Sequence, residues 1–192
     1  MKSSKEILHK YASDMMGVER HFLEVLGYQT ADHRLKDYME AKEIVVKIQQ
    51  VLATHIQNLE RYADGLDVKR SESKLKEAAT KVTGMATGFY NLMRLEDSVM
   101  RNLRDDYTAL HMAAISYTML HATALAHHDT ELSMISLENL KDLTGLAIEM
   151  SRVIPAVVIK ELSFEGKAPD VTVIQQAIDN TQSAWRTSQS VK

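Results

Sequence analysis

The chain has no cysteine among its 192 residues. That excludes disulfides, thiolate metal sites and cysteine nucleophiles together. It holds only two prolines and seven glycines, so helix breakers are few for its length. No apolar run approaches the ~18 residues that span a bilayer, and the N-terminus MKSSKEILHKYASD has no apolar signal core. No basic block stands out and the formal net charge is −3, which argues against a phosphate-backbone footprint. Nucleophile elbow, phosphate loop and nucleotide fingerprint are all missing. The expectation is a cytoplasmic protein with no nucleic-acid and no membrane partner.

What is present is helix-forming. Met, Leu, Ala, Lys and Glu dominate, and β-branched alternation is scarce. The spacing predicts an all-α fold. A first helix runs from about 4 to 26, with Ser4 as N-cap and GYQTADHR as breaker. A second runs from about 32 to 63 and carries two heptad series: Tyr38, Val45, Leu52, Leu59, and Ala41, Ile48, His55, Tyr62. Gly65 serves as its C-cap. A shorter helix is predicted over about 73–95. The next, about 98–126, places Leu103, Leu110, Tyr117 and Ala124 on one row and is apolar on most of its circumference, as a central helix would be. Asp129 caps a last long helix that ends near Glu161, with Pro155 kinking or interrupting it. The bundle is expected to occupy residues 1–165. Residues 166–192 form a linker and an amphipathic helix with Ile174, Ile178, Thr181 and the single tryptophan, Trp185, on one stripe.

Helices one and two pair, as do the two later long ones, with a long crossover between the pairs. That order predicts a four-helix bundle of the ferritin-like kind, with an extra helix in the crossover. Bundles of this kind hold two metal ions between carboxylates and imidazoles.

One residue breaks the apolar pattern of the first helix. Leu8, Ala12, Met15, Phe22 and Leu26 form a stripe, and Glu19 stands inside it. An unpaired buried charge costs several kcal/mol or is neutralised, so Glu19 needs a partner (roughly,). His55, in the seam of the second helix, is the expected one; His111 and His121 are fallbacks.

The segment DMMGVERHFLEVL resembles the first helix of the YciF-type bacterial stress proteins, a ferritin-like family. THIQNLERYADGL resembles the family's second-helix region, and ALHMAAISYTML its third. Helix order and spacing are similar over about residues 3–162. The resemblance implies a metal-ligating role for Glu19, and it places the imidazole positions on His55 and His111. It also implies Fe or Mn as the ions, were the ligand set complete.

The set is depleted. The third-helix Glu-x-x-Glu falls on Leu110 and Ala113. The second-helix carboxylate falls on Val51 or Leu52, and the fourth-helix acidic cluster shrinks to Glu138 and Asp142. Two adjacent cations would lack their bridging charge. The expected protein is therefore a non-catalytic, stress-related bundle with a degenerate site and no bound metal. It would act as a homodimer or through a protein partner. The alternatives are a di-iron or di-manganese metalloprotein and an apolar small-ligand carrier. His127, His128 and Asp129 could bind Zn or Ni, but such clusters more often cap a helix end.

Overall fold

The structure, a computed structural model, describes residues 3–66, 98–164, 166 and 168–189. The helix predicted over 73–95 lies outside the described residues. Those described form five α-helices and no strand: α1 Ser4–Ala31, α2 Met39–Gly65, α3 Val99–Ala126, α4 Thr130–Phe164 and α5 Val173–Gln189. None is long and apolar enough to cross a membrane.

Each boundary has a local cause. The α1 cap is Ser3, one residue before the expected Ser4: its hydroxyl accepts from the Glu6 N–H while the Glu6 carboxylate accepts from the Ser3 N–H. This reciprocal box contributes about 1 kcal/mol. The other end of α1 corrects the sequence reading. The helix passes Gly27 and reaches Ala31 because Gln29 is buried and bonded to α3. The chain then makes a 3₁₀ turn at His33–Asp37, capped by Asp32, so α2 starts at Met39 and not near 32. Ser98 caps α3 and Asp129 caps α4, each by accepting a first-turn N–H. Pro155 sits inside α4 without ending it.

The four long helices form a closed ring of neighbours: α1 touches α2 and α3, and α4 touches the same two. Cross-contacts fix their directions. Arg20 meets Glu60 while Thr30 meets Gln49, so α1 and α2 are antiparallel. Gln29 meets Asp106 while Ser4 meets His127, so α1 and α3 are antiparallel too. Tyr62 to Asp129 and Lys47 to Glu149 do the same for α2 and α4. Hence α2 and α3 run in one direction. The chain leaves α2 at one end of the bundle and re-enters at Ser98 at the other.

Both heptad series of α2 are buried, and Leu8, Met15, Phe22, Val45, Leu52, Leu59, Leu110 and Tyr117 share one core. Each large apolar side chain buried there contributes about 1.5–3 kcal/mol. A second correction concerns α3. It is not central: Ile115, Met119 and Leu125 on its outer side are more than half exposed. α5 lies against α4, with Trp185 half-buried and stacked on Tyr107 of α3 at 6.3 Å.

Candidate functional site

Glu19 is completely buried between Met15 and Phe22, where the α1 stripe puts it. His55 stands in the α2 seam with 1% of its surface exposed. The two meet: Nδ1 of His55 is 3.0 Å from Oε1 of Glu19. The revised ends of the helices explain the match. Glu19 is twelve residues before the end of α1 and His55 sixteen after the start of α2, so antiparallel packing brings them nearly level. With α1 ending at Leu26 they would have been misaligned by several turns.

The other ring nitrogen is also engaged. Nε2 of His55 lies 3.3 Å from Oδ2 of Asp142 on α4, whose carboxylate is mostly in solvent. Tyr117 of α3 meets the His55 ring edge-on at 5.8 Å. Asn139 of α4 donates its amide to the Tyr117 hydroxyl at 2.8 Å, which leaves the phenolic proton free for the Glu19 carboxyl beside it. All four long helices thus supply a polar group to one centre.

Burial pushes the Glu19 carboxyl above the ordinary carboxylate range, against the opposing pull of His55 and Tyr117. The Tyr117 phenol is held well above its usual value by the same burial and by the Glu19 charge. Burial thus works against a charged Glu19. The two ring nitrogens of His55 each face one carboxyl group, with the donor at each contact set by the imidazole tautomer. Oε2 of Glu19 accepts no hydrogen bond among the described residues. The result is a carboxyl–imidazole–carboxylate row running from the core to the surface.

This arrangement does not fit two metal ions. Both imidazole nitrogens already face carboxyl oxygens at hydrogen-bond distance. Leu110 and Ala113 fill the α3 positions where carboxylates would bridge, and both are buried. Among the described residues no three His, Cys, Asp or Glu side chains gather as a metal group. His111 is not brought to the pair: it lies on the exposed outer side of α3, 4.5 Å from the Tyr107 ring. The reason is register. Leu110 and Ala113 take the inward positions, and the residue next to Leu110 points away. His121 is elsewhere too, with Nδ1 on the Ser133 carbonyl at 2.9 Å.

An open groove of ≈ 530 Å³ between α2 and α4 is lined by Asn58, Arg61, Glu131 and Met134 among others, and a smaller one lies at the far end beside Tyr38 and Glu161. Neither includes Glu19, His55 or Asp142. The His127–Asp129 cluster is a helix junction. His127 contacts the Ser4 hydroxyl at 3.0 Å, His128 takes a positive φ of 57°, and Asp129 caps α4 and accepts from Tyr62 at 2.7 Å.

A second buried polar pair escaped the sequence reading. Asp106 of α3 is completely buried and accepts from the Gln29 amide at 2.9 Å, while its Oδ2 has no hydrogen-bond partner among the described residues. Burial is the main cause that lifts this carboxyl from 3.8 to about 8; Gln29 opposes and Asp105 adds to the rise. A signal was present. Asp106 lies three residues after Leu103 and four before Leu110, the same interruption of a seam that made Glu19 conspicuous.

Compared with family models, curated proteins and solved structures, the chain matches none.

Proposed function

We propose that this chain is a non-catalytic, ferritin-like bundle similar to the YciF-type stress proteins, in which an inter-helix metal centre has been replaced by a structural hydrogen-bonded row. The observation that carries the reading is the double engagement of His55 by Glu19 and Asp142. An imidazole held on both sides positions three helices and offers no lone pair to a cation. Helix directions support the ferritin-like assignment: α1 antiparallel to both of its neighbours, and α2 parallel to α3, is the order that a long crossover produces. Such a protein acts through its surface, on a second copy or on another protein during stress in the cytoplasm.

Elemental analysis of protein purified without chelator or affinity tag tests this. The reading requires well below one Fe or Mn per chain. About two per chain would replace it with a di-metal protein of the same bundle class. A retained apolar molecule in native mass spectrometry would instead favour a carrier.

A further inference from the structure

Every residue of α4 from Val153 to Ile159 is apolar. That stretch makes nearly two turns, so its side chains point all round the helix and cannot all face the core. Yet only Val157 is fully buried, and none of the others is exposed. The earlier part of α4 differs: Glu138, Lys141 and Gly145 keep an exposed side turn after turn. Something therefore covers the outer side of the later stretch. Beyond α2 and α3, the described element that lies against α4 is α5. Ser98 meets Glu161 at the end of the bundle where α4 finishes, and Trp185 reaches Tyr107 inward of that end. α5 thus doubles back along the apolar stretch.

α5 holds this place lightly. α1 to α4 each bury a full seam, whereas no side chain of α5 from Val173 to Arg186 is buried. Its stripe of Ile174, Ile178, Thr181 and Trp185 is half-buried, and Gln175, Gln176 and Asp179 stand in solvent. The stripe ends on an aromatic contact: Trp185 stacks on Tyr107, which has the His111 ring as a further neighbour at 4.5 Å. The connection from α4 holds Gly166, at a positive φ of 87°, and Pro169, which together turn the chain instead of prolonging the helix. Apolar burial sets how firmly an element is held, so a helix with no buried side chain opens before helices that bury a seam.

We propose that α5 is a detachable strap: it fills in cis a groove of α3 and α4 fitted to an amphipathic helix, and it lifts as a unit while the four long helices stay packed. A partner helix takes the same groove once α5 has lifted. Its chemistry is that of α5 itself, with apolar residues at the spacing of Ile174, Ile178 and Thr181 and an aromatic ring at the end of the stripe. This goes beyond the reading of a metal-free bundle and does not depend on it, since no member of the Glu19–His55–Asp142 row lies on α5 or in residues 153–159.

The test uses the full chain. In urea, the Trp185 emission should move to that of a solvated indole before the far-ultraviolet helix signal is lost. A synthetic peptide of residues 170–192, labelled at its N-terminus and followed by anisotropy, serves as the competing helix. Trp185→Ala should bind it about tenfold tighter than the parent, because apparent affinity rises with the fraction of chains whose groove is open. Ile178→Ala should do the same, and carries the comparison if Trp185→Ala lowers the helix signal. Gln176→Ala, on the outer side of α5, should bind as the parent does. The inference is overturned if the two urea transitions coincide, or if the emission is already that of a solvated indole without urea. It is equally overturned if neither stripe variant binds the peptide more tightly, or if Gln176→Ala gains as much. Metal content enters none of these readouts, so this inference and the reading of a metal-free bundle fail separately.

Discussion

Oε1 of Glu19 and Nδ1 of His55 stand 3.0 Å apart with almost no solvent on either side chain. The contact joins α1 to α2, and Asp142 extends it to α4. Each partner removes a buried polar group that the other would leave unsatisfied. Replacing Glu19 therefore separates hydrogen bonding from charge. In Glu19→Gln the amide can donate to Nδ1, and stability should change by less than about 1 kcal/mol. Glu19→Leu leaves Nδ1 buried and unpaired, and should cost roughly 1–3 kcal/mol in urea unfolding. A Leu variant more stable than the parent would mean that the carboxyl burdens the core rather than binding it.

Asp106 should make the fold sensitive to alkali. Its carboxyl is lifted from 3.8 to about 8 in the folded state. The contribution is complete below pH about 4, where both states hold the proton, and is lost as pH climbs through about 8. Glu19, raised by burial as well, leans the same way. Asp106→Asn keeps the bond from Gln29 and has no proton to lose. It should flatten the stability profile between pH 4 and 8 and exceed the parent at pH 8 by on the order of a few kcal/mol. Melting temperatures measured across that range decide; parallel profiles would show that Asp106 does not titrate there.

Gly27 is a helical glycine without a steric reason. A Cβ built there meets nothing within 4 Å. Gly27→Ala should therefore stabilise the chain by about 0.5–1 kcal/mol, through helix propensity and a less flexible unfolded chain. A loss in chemical denaturation would point to a backbone role for that position.

Trp185 is the only tryptophan, so its fluorescence reports the docking of α5 alone. Its ring stacks on Tyr107 with 19° between the planes. Tyr107→Ala should shift the emission toward that of a solvated indole while the far-ultraviolet helix signal is kept. An unmoved emission maximum would show that α4, and not the ring stack, holds α5 in place.

The helices were legible from periodicity because apolar positions at steps of three and four leave few alternatives over 28 or 35 residues. Their ends were less so. GYQTADHR reads as a breaker because the apolar spacing stops there. The bond from Gln29 to Asp106, 77 residues away in sequence, keeps the helix going, and no local propensity encodes that. The site divides in the same way. Glu19 and His55 announced themselves as polar residues in seams. Asp142 was visible only as part of a thinned acidic cluster, since its exposed position carries no seam signature. His111 was misplaced because a resemblance fixes a residue type near a position, while the inward direction belongs to the neighbouring Leu110 and Ala113.

Pro155 has a consequence for how the molecule opens. It brings no amide proton to the helical ladder, so α4 lacks the rung that would reach back to Ser151. Asn139 and Asp142 belong to the longer segment before that gap. Glu161 belongs to the shorter one after it, where it binds the Ser98 hydroxyl at 2.7 Å and the Met100 amide at 2.8 Å. The missing rung is a weak point between the two segments of one continuous helix. The later segment can fray together with the first turn of α3 while the polar row stays shut, so in native-state hydrogen exchange amides 156–164 should lose protection before those of 139–147.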